Sequence, residues 1–487
     1  MGLFGNPFAR MTDFLKRGAL CAMAAGLAGG AGLAPASATD IKRVVSPGGV
    51  EAWLVTERSV PLISMSFAFR GGTSQDPDGR EGLAQAAAAL LDEGAGELDA
   101  EAYQRRLEDS AARLSFNAMR DSFSGELRTL TRNRDEAFEL LRLAVNEPRF
   151  DEDAIERIRA QLVARLRNRL TDPDELAARA WSATAFPGHP YGRPSAGTLD
   201  SLAAIQRADL QDYKRRVFAR ANLKVAVVGD IDAEALAPLL DKVFGALPAD
   251  PELRPVPDTA VHHVGERRVS ELDVPQTVIQ FGGPGLKRKD PDFMAAYIVN
   301  HILGGGAFTS RLYDEIREKR GLAYSVHTSL APLDHAGVFV GGTATQNARA
   351  AESLELIERE VRRMGEQGPS HEELTAAKSF LTGSYALRFD TSSKIASQLV
   401  QIQLDELGID YIDRRNRLIE AVTLDDTRRV AKRLFGDGKL LSVAVGKPAG
   451  LTGATGSADA PVPAGDPSRA GGPGGAGGPG RADRPGG

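Results

Sequence analysis

Cysteine is almost absent from this chain of 487 residues, in which Cys21 is the only one. A single thiol cannot form a disulfide within the chain, and it cannot supply the several thiolates of a cysteine-based zinc site. Blocks of like charge are also absent, because 60 Lys and Arg are interspersed with 65 Asp and Glu, for a net charge of -5. Without a basic stretch that could follow a phosphate backbone, we expect no nucleic-acid partner.

The N-terminus has the pattern of an export signal. Lys16 and Arg17 precede a run rich in Ala, Gly and Leu over residues 18–33, and an A-x-A cleavage sequence ends at Ala38. The alternative interpretation is a membrane anchor, but the run is short and rich in glycine, so we expect no stable anchor. The sequence therefore predicts a signal peptide over residues 1–38 and a periplasmic or secreted mature protein. That mature chain would contain no cysteine, which excludes a cysteine nucleophile.

The C-terminus consists mainly of small residues and proline. Residues 448–487 contain almost no large apolar side chain and end in GGPGGAGGPGRADRPGG. Such a segment cannot bury enough apolar surface to offset the entropy that it would lose on ordering. We predict a disordered tail over residues 448–487 and assign it no role.

Between these ends, one structural plan occurs twice along the chain. The first copy opens with a strand pair at residues 50–57 and 62–72, followed by an Asp-Pro-Asp turn and a helix at residues 81–96. The second copy opens with a strand at residues 277–285, followed by another Asp-Pro-Asp and a helix at residues 293–308. The strands are predicted from alternating, β-branched and aromatic residues.

Each copy also ends alike, on helices followed by a hydrophobic strand. Ser370 and Glu373 form the pattern of a capping box at the start of one of these helices. Runs of strands that alternate with runs of helices favour an α+β fold, with helices packed on one face of a sheet. We predict an N-terminal α+β domain over residues 39–247, a proline-rich linker over 248–265 and a C-terminal α+β domain over 266–447.

Five stretches, in their order and spacing, resemble the insulinase/pitrilysin (M16) peptidases in their short-subunit form. They are RGGTSQDPDGREGLA, HPYGRPSAGTLDSL, LKVAVVGD, NHILGGGAFTSRLYDEIREKRGLAYSV and LFGDGKLLSVAVG. The similarity covers almost the whole mature chain, from about Val44 to Gly446. The resemblance implies two homologous halves that enclose a chamber, each a mostly antiparallel sheet with helices on one face.

The metal motif of this family is missing from the sequence. Catalytic members carry H-x-x-E-H on the helix after Gly-Leu-Ala, where two histidines bind zinc and the glutamate activates water. The three positions hold Gln85, Ala88 and Ala89 in this chain. Alanine can neither bind a metal nor transfer a proton, and glutamine is not expected to replace imidazole as a zinc ligand. The family's third ligand, a glutamate, aligns with Arg165, whose positive charge would repel zinc.

The histidines do not form a zinc motif elsewhere in the sequence. No two of them are four residues apart, and none belongs to an H-x-x-E-H. They are His189, His262, His263, His301, His327, His335 and His371. We interpret most of them as core or solvated side chains and expect no metal on this chain.

A second motif of the family is present, in the sequence IREKRGLAY. In M16 peptidases an arginine near the end of this helix and a tyrosine on the next strand hold the substrate, and the resemblance assigns these roles to Arg317 and Tyr324. A guanidinium and a phenol can stabilise the oxyanion that forms when water attacks a peptide carbonyl. The alternative interpretation is structural, because the helix dipole favours a basic residue in a last turn and a tyrosine often serves packing.

The leading hypothesis is a non-catalytic, substrate-binding subunit of a heterodimeric zinc peptidase. The resemblance implies that an M16 partner carries H-x-x-E-H and the zinc, while this chain has no cofactor and no catalytic residue that works alone. It would present Arg317 and Tyr324 to peptides or unfolded segments. The alternative is a non-enzymatic structural or peptide-binding protein of the same fold. A relocated serine site has little support, since no G-x-S-x-G occurs.

Export makes a prediction about the native N-terminus. Cleavage after Ala38 leaves Thr39 as the first residue, because signal peptidase cuts after the small residues of the A-x-A sequence. Intact-mass measurement of protein from its own cells is expected to give a chain that begins at Thr39. Ala38→Leu is the matched variant and should accumulate the precursor. Wild-type native protein that retains residues 1–38 would contradict the signal peptide.

Overall fold

Two β-sheets form the framework of the computed structural model, which describes residues 40–451. The strands of the first half are β1 Lys42–Val45, β2 Glu51–Thr56, β3 Leu62–Arg70, β4 Arg113–Ala118, β5 Ser122–Leu130 and β6 Leu223–Gly229. The strands of the second half are β7 Arg267–Glu271, β8 Gln276–Pro284, β9 Ala323–Pro332, β10 Gly337–Gln346 and β11 Leu441–Gly446. The predicted signal peptide and the predicted tail beyond residue 451 lie outside the described residues.

Helices follow and separate these strands in both halves. Those of the first half are α1 Leu83–Leu90, α2 Ala100–Asp109, α3 Arg134–Asn146, α4 Glu152–Arg169, α5 Pro173–Ala185, α6 Leu199–Ala204, α7 Arg207–Val217 and α8 Ala233–Phe244. Those of the second half are α9 Phe293–Asn300, α10 Arg311–Tyr313, α11 Ala350–Gln367, α12 His371–Gly383, α13 Ser392–Leu404, α14 Tyr411–Ala421 and α15 Leu424–Phe435. Residues 245–266 form neither a helix nor a strand. No helix within residues 40–451 is long and apolar enough to cross a bilayer.

The first sheet has the strand order β1-β2-β6-β3-β5-β4. The sequence predicts β2 and β3 as a strand pair, and that prediction is wrong. Strand β6 lies between them, parallel to β2 and antiparallel to β3. The reason is burial: almost every residue of β6 is buried, so the strand needs cover on both faces and a neighbour on each side.

The second sheet repeats this topology with the order β7-β11-β8-β10-β9. Strand β11 takes the place of β6, next to a parallel β7 and an antiparallel β8. The prediction of two mostly antiparallel sheets with helices is confirmed. Sequence analysis starts the second copy at β8 and misses β7, because this short strand, RRVSE, has no buried residue that would reveal an apolar face.

A helix of the first half packs on the second sheet. Helix α5 places Ala177, Trp181 and Ala185 in a core cluster with residues of β8, β10 and β11. The indole Nε1 of Trp181 donates to the Leu441 carbonyl at 3.1 Å. Gly282 makes room for this ring, because a Cβ atom there would lie 2.7 Å from it. The first half therefore supplies part of the core of the second.

A helix of the second half packs on the first sheet in the same way. Helix α13 places the fully buried Leu399 in a cluster with Trp53 of β2 and Val228 of β6. The buried side chain of Gln403 donates to the Val225 carbonyl at 2.9 Å. We call α5 and α13 the exchanged helices.

Each sheet is thus covered on both faces. Helices of the same half cover one face, as the sequence predicts, and one exchanged helix covers part of the other. The amphipathic pattern of a helix shows that it buries a face, but it does not identify the sheet that receives that face. The chamber that the family resemblance implies stays a prediction.

Local capping also follows the sequence. The capping box predicted at Ser370 and Glu373 is confirmed, because the Ser370 hydroxyl accepts from the Glu373 N–H at 3.1 Å. The Glu373 carboxylate in turn accepts from the Ser370 N–H at 2.7 Å. These two bonds satisfy N–H groups that the helix itself leaves unpaired.

The exchanged helices make a prediction about stability. Leu399→Ala empties a position with 0% exposure between α13 and the first sheet, so the free energy of unfolding should fall by about 2–5 kcal/mol. Leu387→Ala removes the same atoms at 73% exposure and should change it by less than about 0.5 kcal/mol. Urea denaturation measures both values. Equal stability of the two variants would show that α13 does not pack on the first sheet.

Candidate functional site

Helix α1 carries the positions at which the resemblance expects a zinc motif. Ala88 is 7% exposed and belongs to the core of the first half, with Gln85 and Ala89 half-buried on the same helix. Alanine is small and apolar, so at these positions α1 packs into its neighbours instead of presenting metal ligands. The helix exists where the sequence predicts it, and its side chains cannot hold zinc.

Arg165 does not complete a metal site either. It is an exposed residue of α4, and its Nη2 atom lies 3.5 Å from the Gln161 side-chain oxygen. Within residues 40–451, no three His, Cys, Asp or Glu side chains lie close enough together to hold a metal ion. The donor set of this chain therefore does not fit the zinc of catalytic M16 peptidases.

The turn before α1 is held to the helix by hydrogen bonds. The buried carboxylate of Asp76 accepts from the backbone N–H groups of Gly82 and Ala84, at 2.9 Å each. Burial raises the pKa of Asp76 to about 7, and the two N–H groups oppose that rise. The first turn of α1 is thus fixed to the preceding loop although the metal ligands are missing.

The predicted pair of Arg317 and Tyr324 comes together in the second half. The guanidinium carbon of Arg317 lies 4.9 Å from the centroid of the Tyr324 ring, within the range of a cation–π contact. Tyr324 is 83% exposed, and the Arg317 side chain is 32% exposed. Both groups are therefore within reach of a ligand in solvent. Their role in substrate binding stays a prediction.

Tyr313 belongs to the same arrangement, although sequence analysis does not single it out. Arg317 Nη1 donates to the Tyr313 hydroxyl, and the guanidinium carbon lies 4.9 Å from the Tyr313 centroid as well. The exposed Phe308 meets Tyr313 edge-on, with the centroids 5.1 Å apart. The spacing of Tyr313 and Arg317, four residues apart on a helix, could have indicated their contact. We call Phe308, Tyr313, Arg317 and Tyr324 the aromatic–arginine row.

Two π-helical turns shape the backbone that carries this row. Helix α9 continues as a π-helical turn over His301–Gly305, and α10 continues as one over Asp314–Glu318. Such turns occur frequently at functional sites. The second is closed by the Lys319 N–H, which donates to the Asp314 carbonyl at 2.9 Å. Gly321 follows it with φ 59, which glycine adopts without strain. The sequence predicts one helix over residues 293–308. In the structure α9 ends at Asn300 and its π-helical continuation ends at Gly305, so the helix is shorter than predicted.

Polar contacts fix the helix and the strand on either side of Gly321. The buried carboxylate of Glu315 accepts from Lys319 Nζ and from Arg320 Nη1, at 2.6 Å each. The hydrogen bond from Lys319, assisted by Arg320, holds the pKa of Glu315 below its ordinary value. The Thr345 hydroxyl donates to the Leu322 carbonyl at 2.6 Å and anchors the start of β9. Arg317 and Tyr324 thus extend from a helical turn and a strand that hydrogen bonds hold in place.

Sequence similarity identifies the group of proteins to which this arrangement belongs. The chain is 30% identical over 336 residues to the non-peptidase homolog YmxG of Helicobacter pylori, an alignment that covers 69% of this chain and 77% of that protein. The chain belongs to the M16 peptidase family. The family model of the peptidase M16 inactive domain matches residues 204–381. That range contains the whole aromatic–arginine row and none of the positions at which α1 lacks the zinc motif.

Solved structures of two bacterial proteins share this fold. The peptidase M16 inactive domain from Pseudomonas fluorescens has a TM-score of 0.77 at 27% identity and covers 84% of this chain and 98% of its own. A protease from Helicobacter pylori has a TM-score of 0.76 at 19% identity, with 84% and 100% covered. The chain therefore has the M16 fold.

Overall similarity does not by itself separate M16 chains that are named zinc proteases from those that are named non-peptidase homologs. An uncharacterized zinc protease of Streptomyces coelicolor is 29% identical over 282 residues, which cover 56% of this chain and 60% of that protein. This identity is nearly the same as that to the non-peptidase homolog. The residues at positions 85, 88 and 89 therefore decide the type, and they are Gln, Ala and Ala.

The missing ligands predict the metal content. The purified mature chain should contain no stoichiometric zinc and should cleave no peptide, because no described site offers the ligands. The triple variant Gln85→His, Ala88→Glu, Ala89→His should still bind zinc poorly while Arg165 remains, and adding Arg165→Glu should raise its zinc content. Elemental analysis measures each protein. One tightly bound zinc per wild-type chain would overturn this assignment.

Proposed function

We propose that this chain is the non-catalytic, substrate-binding subunit of a heterodimeric M16 zinc peptidase. The observation that carries the proposal is the contact between Arg317 and the exposed Tyr324 on a chain whose α1 has no zinc ligands. A pair that can hold a peptide carbonyl, on a chain without a metal site, suits an assembly in which another chain brings the metal. Zinc and the glutamate that activates water would then belong to an M16 partner with an intact H-x-x-E-H.

The aromatic–arginine row offers the hydrogen-bond donors that this chemistry requires. One guanidinium N–H of Arg317 is used by Tyr313, and a guanidinium has five such donors in a planar fork. The Tyr324 ring lies against the guanidinium while its exposed hydroxyl is available to a ligand. Preplaced donors stabilise an oxyanion more strongly than the carbonyl from which it forms, and this difference lowers the barrier.

The substrate class in this proposal is peptides or unfolded segments. Phe308 is 73% exposed and Tyr324 is 83% exposed, and exposed aromatic rings favour contact with apolar side chains of a partner molecule. A compact folded protein would present few extended segments to such a row. Cleavage of the predicted signal peptide would place the pair with peptides outside the cytoplasm.

Tyr324→Phe tests the proposal, because it removes one hydroxyl and nothing else. We expect the heterodimer to assemble with normal zinc content, while kcat/KM for a peptide falls by about 10²–10³-fold. That loss equals roughly 3–4 kcal/mol of transition-state stabilisation. It should appear mainly in kcat if the contact tightens as charge develops, and in KM if it only holds the substrate. Arg317→Lys should also be costly, because an ammonium cannot reproduce the planar fork.

Tyr297→Phe is the matched control. Its hydroxyl lies on α9 of the same half and makes only a 3.4 Å contact with Arg388, so activity should stay within about twofold. A Tyr324→Phe complex with full activity would contradict the role of the row. If no H-x-x-E-H chain forms a complex with this protein, and the chain still binds peptides alone, the non-enzymatic peptide-binding alternative is favoured.

A further inference from the structure

A cavity of about 160 Å³ lies on the first half, between α4, α5 and the loop before α6. It lies beside the face of α5 that packs on the second sheet, and Leu176 belongs to both. Its charged lining is mostly positive. The lining contains Arg120, Arg169, Arg179 and Arg193 and a single carboxylate, Glu175.

Two of these guanidinium groups, those of Arg120 and Arg179, form no direct ion pair with a carboxylate of the described residues. Arg120 donates to the Tyr191 carbonyl and, at 3.2 Å, to the Ser182 hydroxyl, neither of which carries a charge. Burial lowers the pKa of Arg120, because its charge is kept away from water, and the nearby Asp121 carboxylate offsets that fall only in part. Within residues 40–451, neither Arg120 nor Arg179 forms an ion pair. A partly buried cation without a counter-charge is unfavourable unless a ligand supplies one.

The other two arginines form ion pairs with exposed carboxylates, and Arg193 also donates to the Asp76 carbonyl at 3.0 Å. Arg193 pairs at 2.6 Å with Asp78, whose side chain is 97% exposed. Arg169 lies 3.9 Å from Glu175, and both side chains are about half exposed. Exposed ion pairs of this kind contribute little and are screened by salt. The interior of the cavity therefore keeps an excess of positive charge.

The rest of the lining is largely apolar and limits the size of a ligand. Leu166 and Leu170 of α4 and Leu176 of α5 line the cavity beside the arginines. Its volume of about 160 Å³ is well below the roughly 300 Å³ at which pockets for cofactors and drug-sized molecules begin. A group the size of one amino-acid residue, apolar in its body and anionic at one end, matches both features.

We propose that this cavity binds a carboxylate carried on an apolar, residue-sized body, as in the C-terminal residue of a peptide or a free branched-chain acid. Guanidinium groups match the planar geometry of a carboxylate and bind it through paired N–H donors. The three leucines would contact the aliphatic part. The inference does not rest on the proposed peptidase partnership, since the cavity belongs to this chain alone and involves no residue of the aromatic–arginine row.

Calorimetric titration of the mature chain tests the ligand class with three probes. These are acetyl-Ala-Ala-Leu with a free carboxylate, the same peptide as its amide, and 4-methylpentanoate. The free-carboxylate peptide should bind at least about tenfold more tightly than the amide, since charge-assisted hydrogen bonds are lost with the charge. Added salt should weaken its binding. If 4-methylpentanoate alone binds, the carboxylate chemistry holds and the ligand is a free acid; equal binding of acid and amide, or no binding of any probe, overturns the proposal.

Arg179→Gln is the variant that ties binding to the cavity. Its guanidinium lines the cavity and has no ion pair among the described residues, so the melting temperature should not change. Carboxylate affinity should fall at least about tenfold. Arg167→Gln is the matched control, because Arg167 is an exposed arginine of α4 outside the lining, and affinity should be unchanged. Binding that survives Arg179→Gln, or that Arg167→Gln weakens equally, would place the carboxylate elsewhere and refute the site.

Discussion

The rest of the structure depends on the exchange of two helices between the halves. A sheet whose two faces are both apolar has to be covered twice, and neither half provides the second cover for its own sheet. The Trp181 indole against Leu441 and the buried Leu399 against Trp53 supply it from the opposite half. Burial of side chains of this size contributes about 1.5–3 kcal/mol each. Each core is therefore incomplete without the other half, although the two halves derive from one repeated plan.

The repeat preserves backbone topology while the chemistry of its copies differs. In the first copy, Asp76 of the Asp-Pro-Asp turn is buried and caps α1. In the second, the carboxylates of Asp290 and Asp292 bond to Arg433 of α15. The same turn thus connects a strand to a helix in both halves by different contacts. The functional groups diverge in the same manner, since the first helix lacks metal ligands and the second half carries Arg317 and Tyr324.

Sequence alone predicts those features that depend on neighbours along the chain. Most of the strands, the capping box at Ser370 and the helix that carries Ala88 follow from local periodicity and composition. Contacts between distant segments are different: nothing in the pattern of β6 indicates its place beside β2, and nothing in α5 reveals that Trp181 faces Gly282. The carboxylate cavity is beyond prediction for the same reason, because the segments that carry Arg120 and Arg179 meet only in the folded chain.

The cost of burying or exposing side chains differs between α1 and the aromatic–arginine row. At α1, a buried glutamate or histidine would have to be desolvated, so Ala88 in the core removes a cost that only a bound metal could offset. At the aromatic–arginine row the balance is reversed. A Tyr324 ring that is 83% exposed and a Phe308 ring that is 73% exposed add little to folding and place apolar surface in water. Folding explains the alanines of α1 but gives no reason for the exposed rings beside Arg317, and the proposed substrate-binding role supplies one.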